Sequence, residues 1–146
     1  MAHAAHRSTS ASAAALALAL GSSVAAAEAP APPTLQATLT CTPASEAGRV
    51  RCEVEAQVPG AQIKWADAEI LKVPDLITPL KGRIGPHDAA LKDPQLWRLS
   101  LALVAKRTGS GPVVVRVRVV ACQTVDGKER CVPMSVEATG QVKVGQ

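Results

Sequence analysis

Apolar and polar residues alternate with a period of two along most of this chain, the pattern of strands that bury one face. The clearest run is residues 96–106, where Trp97, Leu99, Leu101, Leu103 and Ala105 alternate with Arg98, Ser100, Ala102, Val104 and Lys106. Residues 49–58 put Val50, Cys52, Val54, Ala56 and Val58 on one side. Residues 113–121 set Val113, Val115, Val117, Val119 and Ala121 against Arg116 and Arg118. Residues 131–138 set Val132, Met134, Val136 and Ala138 against Cys131, Pro133, Ser135 and Glu137, and a short strand is expected around Val142. Residues 34–42 alternate through Leu35, Ala37 and Leu39, while residues 63–65 and 70–73 are shorter strand candidates. Pro59-Gly60 and residues 108–112 mark turns. Residues 74–95, with four prolines and two glycines, read as a long loop or loosely structured crossover. No segment carries a helical period. Six or seven short strands separated by turns predict an all-β, antiparallel β-sandwich, with a small barrel as the alternative.

The turns also place the cysteines. Asp126-Gly127 between two strands predicts a two-residue type I′ turn, because both central positions need a positive φ. Counting outward from it, Val125 faces Lys128, Thr124 faces Glu129, Gln123 faces Arg130, and Cys122 meets Cys131. Cross-strand neighbours lie about 4.5 to 5.5 Å apart at Cα, within the range that a disulfide spans. The same count places Thr42 opposite Arg51 and Cys41 opposite Cys52, with residues 44–49 carrying the reversal. Four cysteines allow three connectivities; the hairpins favour Cys41–Cys52 and Cys122–Cys131. Each closes a loop of about ten residues and contributes on the order of 2 to 3 kcal/mol by loop entropy. Zinc ligands come in closer pairs, such as Cys-x2-Cys, so no metal and no cofactor is expected.

The chain's beginning reads as an export signal. Arg7, with His3 and His6, precedes an Ala/Leu run over residues 11–20, and Ala25-Ala26-Ala27 offers the small side chains of a cleavage site after Ala27. The run is too short to cross a bilayer, which takes roughly 20 residues, and no later segment is long and apolar enough. Residues 1–27 are therefore the expected signal peptide, residues 28–33 a Pro/Ala linker, and residues 34–146 the β-sandwich. Export makes the compartment periplasmic or extracellular, where disulfides persist. Removing the signal leaves 119 of the 146 residues and a net charge of +3, from 15 basic and 12 acidic residues. That charge is dispersed, and with two Trp, no Tyr and no Phe the chain lacks the basic face and stacking aromatics of a nucleic-acid binder. Val, Leu, Ile and Ala must build the core, around Trp97. Trp65 is expected to pack there too, with a peptide- or carbohydrate-lining role as the alternative.

Residues 117–122, Val-Arg-Val-Val-Ala-Cys, with Cys131-Val132-Pro133 and the alternating tail to Val144, resemble the end of the N-terminal periplasmic domain of DsbD-type thiol:disulfide interchange proteins. The resemblance covers roughly 30 residues. It implies an immunoglobulin-like sandwich in which Cys122 and Cys131 exchange disulfides with a protein partner through a mixed disulfide. On that reading Arg118 and Arg130 are positioned to lower a thiolate pKa. The chain departs from the family in its wider cysteine spacing, in Val132 where an aromatic is expected, and in lacking the Phe or Tyr of the family's cap loop. The other reading is a non-catalytic adaptor or binding module in which both disulfides are structural. A hydrolase is excluded by inventory: His87, in Gly85-Pro86-His87-Asp88, is the one histidine after residue 27, and no Gly-x-Ser-x-Gly elbow occurs.

Overall fold

The computed structural model describes residues 28–146; the expected signal peptide, residues 1–27, lies outside them. Nine strands and one short 3-10 turn make up the fold: β1 (Gln36–Cys41), β2 (Gly48–Gln57), β3 (Gln62–Lys72), β4 (Ile77–Pro79), β5 (Arg83–Ile84), β6 (Ala89–Lys92), β7 (Leu96–Ala105), β8 (Gly109–Val125) and β9 (Lys128–Val144), the turn at Pro86–Asp88 preceding β6. Two antiparallel sheets form. One runs β1-β2-β7-β4, with β6 also paired to β7; the other runs β5-β3-β8-β9. With β1, β2, β7 and β4 standing for strands A, B, E and D, and β3, β8 and β9 for C, F and G, this is the strand order of a constant-type immunoglobulin sandwich. The chain is an immunoglobulin-like β-sandwich.

The long strands follow the period-two runs. β2 pairs with β7 without a break from Gly48↔Ala105 to Gln57↔Leu96, so Val50, Cys52, Val54 and Ala56 share a face with Trp97, Leu99, Leu101 and Leu103, all buried. The facing sheet contributes Val113, Val115, Val117, Val119 and Ala121 of β8. With aliphatic side chains doing the work of aromatics, each fully buried Val or Leu contributes about 1.5 to 3 kcal/mol.

Two expectations need correction. The weak candidates at 63–65 and 70–73 are parts of one 11-residue strand, β3. The crossover at 74–95 is not a loose loop but holds β4, β5 and β6, strands of three, two and four residues. Their own sequences carry too few alternations to announce a strand. They form because the free edges of β7 and β3 offer unpaired backbone groups, and buried groups of that kind must find partners.

The lateral seam between the sheets is closed at one end. Residues just past β1 reach the end of β9, where the Ala44 N–H donates to the Lys143 carbonyl at 3.0 Å and the Gly145 N–H to the Ala44 carbonyl at 2.8 Å. Next to them a Cβ at Gly140 would stand 2.7 Å from the Leu39 carbonyl oxygen. Only glycine lets the two backbones approach this closely.

Candidate functional site: the outer face of the β3-β8-β9 sheet

Both disulfides form as the hairpin counts predict. Asp126 and Gly127 adopt φ of 52° and 72°, as a type I′ turn requires, and β8 and β9 pair in register from Gly109↔Val144 to Val125↔Lys128. Cys122 lies opposite Cys131 with a Cα separation of 4.0 Å, and Cys41 opposite Cys52 at 3.9 Å. The Thr42 N–H bonds the Arg51 carbonyl, which makes Cys41 and Cys52 a non-hydrogen-bonded pair, the closer of the two cross-strand arrangements. Alternation outward from the turn gives Cys122 and Cys131 the same character.

The two bridges face different surroundings. Cys52 is fully buried and Cys41 packs against the same core. Cys122 and Cys131 stand on the other side of their sheet, on its outer face, with Cys122 buried and Cys131 exposed. An immunoglobulin domain joins strands B and F by a disulfide across the core. Here Cys52 and Cys122 occupy those two strands, yet each bonds its hairpin neighbour, so no disulfide among the described residues joins the two sheets.

The charges expected to serve the Cys122–Cys131 pair are elsewhere. Arg118 is four residues along β8, about 13 Å by strand rise, and Arg130 pairs with Gln123, on the opposite face of the sheet from the cysteines. Glu129 stands beside the disulfide: one of its oxygens and the two sulfurs lie within 4.8 Å of one another. Lys64 holds that carboxylate at 3.5 Å.

Arg118 has a different role. Asp67, only 1% exposed, is directly opposite it on β3. Arg118 donates from Nε to Asp67 Oδ1 at 2.9 Å and from Nη2 to Oδ2, and Arg83 of β5 donates from Nε to Oδ2 at 2.6 Å. The hydrogen bonds that Arg118 donates to Asp67 raise its pKa above the ordinary arginine value. The guanidinium also lies over the ring of Trp65, 5.8 Å from its centroid, a cation–π arrangement that fixes both. Alongside, Arg116 bridges Glu69 and Glu137 at 3.7 and 3.8 Å. Acidic and basic groups cancel along this face, so it holds no anion-attracting field.

Trp65 is therefore not a core residue. Ile63 is buried, and simple alternation would put Trp65 beside it. A register shift between Ile63 and Trp65 inserts one residue, and a one-residue insertion turns the following side chains to the other face. Trp65 emerges on the outside and, with Arg118, Val120, Pro133, Met134 and Ser135, lines a shallow, mostly apolar groove. Trp97 is buried as expected, and His87 is exposed beside the short turn. The groove's signal in the sequence is only that one tryptophan, whose partners come from two other strands, β8 and β9.

No protein-family model matches this chain, and no curated protein does. Among solved structures it is similar to AggA, the major subunit of aggregative adherence fimbriae type I from Escherichia coli, with 10% identity over 75% of this chain and 96% of that one and a TM-score of 0.34. It is also similar to BslA, described as a bacterial hydrophobin, with 11% identity over 77% of this chain and 95% of that one and a TM-score of 0.32. Neither likeness assigns a function to this chain.

Proposed function

We propose that this chain is an exported, non-catalytic β-sandwich module of the periplasm or cell exterior that binds a protein partner, with both disulfides structural. The outer face of the β3-β8-β9 sheet, with its groove at Trp65, is its contact surface. The observation that carries this reading is the setting of Cys122–Cys131. An exchange catalyst needs a stabilised thiolate, and the Glu129 carboxylate stands beside these sulfurs, where it opposes thiolate formation. Arg118, the cation expected to help, is committed to Asp67 and Trp65. The pair also sits within an unbroken ladder, where a bridge tightens the hairpin. A tryptophan under an arginine and beside a proline is an apolar anchor of the kind that protein interfaces favour.

Glutathione titration with mass spectrometry of trapped thiols tests this directly. Both disulfides are expected to resist reduction to below about −300 mV. Selective reduction of Cys122–Cys131 near about −200 mV, where redox catalysts operate, would overturn the reading in favour of disulfide exchange.

A further inference from the structure

Three of the four sheet edges are made of short strands: β1 has six residues, β4 and β6 three and four, and β5 two. The fourth is β9, with 17. A long unpaired strand is a template for another strand, and proteins ordinarily shorten, charge or cover such edges. Toward its C-terminal end β9 is flanked by β1, whose Leu39 packs on Gly140, and Ala44 bonds the Lys143 carbonyl. That bond also sets the parity: the odd-numbered residues of β9 turn their backbone N–H and C=O away from β8. Among the described residues no backbone hydrogen bond meets those groups between residues 129 and 141. Pro133 falls on this outward row, where its missing N–H costs the β8 ladder nothing.

The same stretch is short of cover on its inward side. Val132 is 41% exposed, and Met134 and Val136 are only partly buried, as are Leu35 and Ala37 around the start of β1. The seam that Ala44 and Leu39 close at one end is open at this one, with backbone donors and apolar side chains side by side.

We propose that this open edge of β9 pairs antiparallel with the same edge of a second copy of the chain, about a two-fold axis near Met134. A two-fold contact must be self-complementary, and this stretch is. About Met134 the partly exposed apolar row matches itself, Val132 against Val136 and Met134 against Met134. The two acidic residues of the outward row are not directly opposed: Glu129 falls opposite Thr139 and Glu137 opposite Cys131. The outward backbone groups supply the hydrogen bonds of an added strand, reduced by two, since Pro133 of each copy lacks its donor. The pairing continues the sheet through both molecules. It also brings the two Trp65 grooves together, since Pro133 and Ser135 line the groove and face each other across the axis.

Sedimentation of the purified, oxidised protein, with amide hydrogen exchange, tests the pairing. A dimer is expected at about 100 µM, with the Ser135 and Glu137 amides gaining protection as concentration rises; Val136, already bonded to β8, serves as the invariant control. Ser135→Pro removes one outward N–H and leaves the β8 ladder whole, and Val132→Lys charges the exposed apolar row. Each is expected to weaken dimerisation by at least tenfold, about 1.4 kcal/mol, with an unchanged far-UV circular dichroism spectrum. A wild-type chain still monomeric at about 1 mM overturns the proposal, as does a dimer that both variants leave intact. Edge amides protected only by an added foreign peptide overturn it too, and assign the edge to another protein's strand.

Discussion

Asp67 shows how a single polar residue organises a sheet face. Its carboxylate is buried between two guanidinium groups, and Arg118 passes that order on to Trp65. Replacing it by alanine leaves both arginines to find water, removes charge-assisted hydrogen bonds and frees the indole. Asp67→Ala should destabilise the fold by about 1 to 3 kcal/mol in urea titration, with a larger solvent-accessible fraction of Trp65 in fluorescence quenching. An unchanged urea midpoint would mean that the cluster is ornamental. Alternation along β3 marks Asp67 as facing away from Ala66 and Ala68 but says nothing of its burial. That depends on Arg83, which arrives from β5 across the 74–95 crossover.

At the scale of elements, the β8–β9 hairpin was the most legible part of the chain. One dipeptide, Asp126-Gly127, fixed the turn, the turn fixed the register, and the register fixed the Cys122–Cys131 pair. The physical reason is locality, because a two-residue turn leaves no freedom in the strands that it joins. The double substitution Cys122→Ala, Cys131→Ala is expected to lower stability by about 2 to 3 kcal/mol in denaturant unfolding while the backbone chemical shifts of the distant β2–β7 pair stay in place. Loss of those shifts would show that the bridge is needed for folding rather than for tightening. The short strands at 77–79, 83–84 and 89–92 were illegible for the complementary reason. Two to four residues are too few to display a period, and their pairing is dictated by β7 and β3.

For the whole molecule, the absence of a disulfide between the sheets puts the burden of cohesion on the aliphatic core. Leu101, 1% exposed near the middle of β7, tests this. Leu101→Ala should cost about 2 to 5 kcal/mol by thermal or chemical unfolding, matching or exceeding the loss of either disulfide. A cost below that of the hairpin bridge would show that the staples carry the fold. Two disulfides are bonds of a kind that persists in oxidising compartments, and no helix among the described residues is long and apolar enough to cross a membrane.

The sequence by itself determined the fold class and strands β2, β7, β8 and β9 with their aliphatic face, and it favoured both cysteine pairs, all consequences of period-two alternation and short-range turn chemistry. Tertiary structure alone decided which way the outer-face residues point and what they meet. One inserted residue between Ile63 and Trp65 moved the tryptophan from the core to the surface, and pairing across β3, β5 and β8 drew Arg118 to Asp67 and away from the cysteines. Only the sheet order showed that β9 ends as a long open edge. Local alternation records which face of a strand is apolar, whereas neighbours that are distant in sequence decide what covers that face and what is left uncovered.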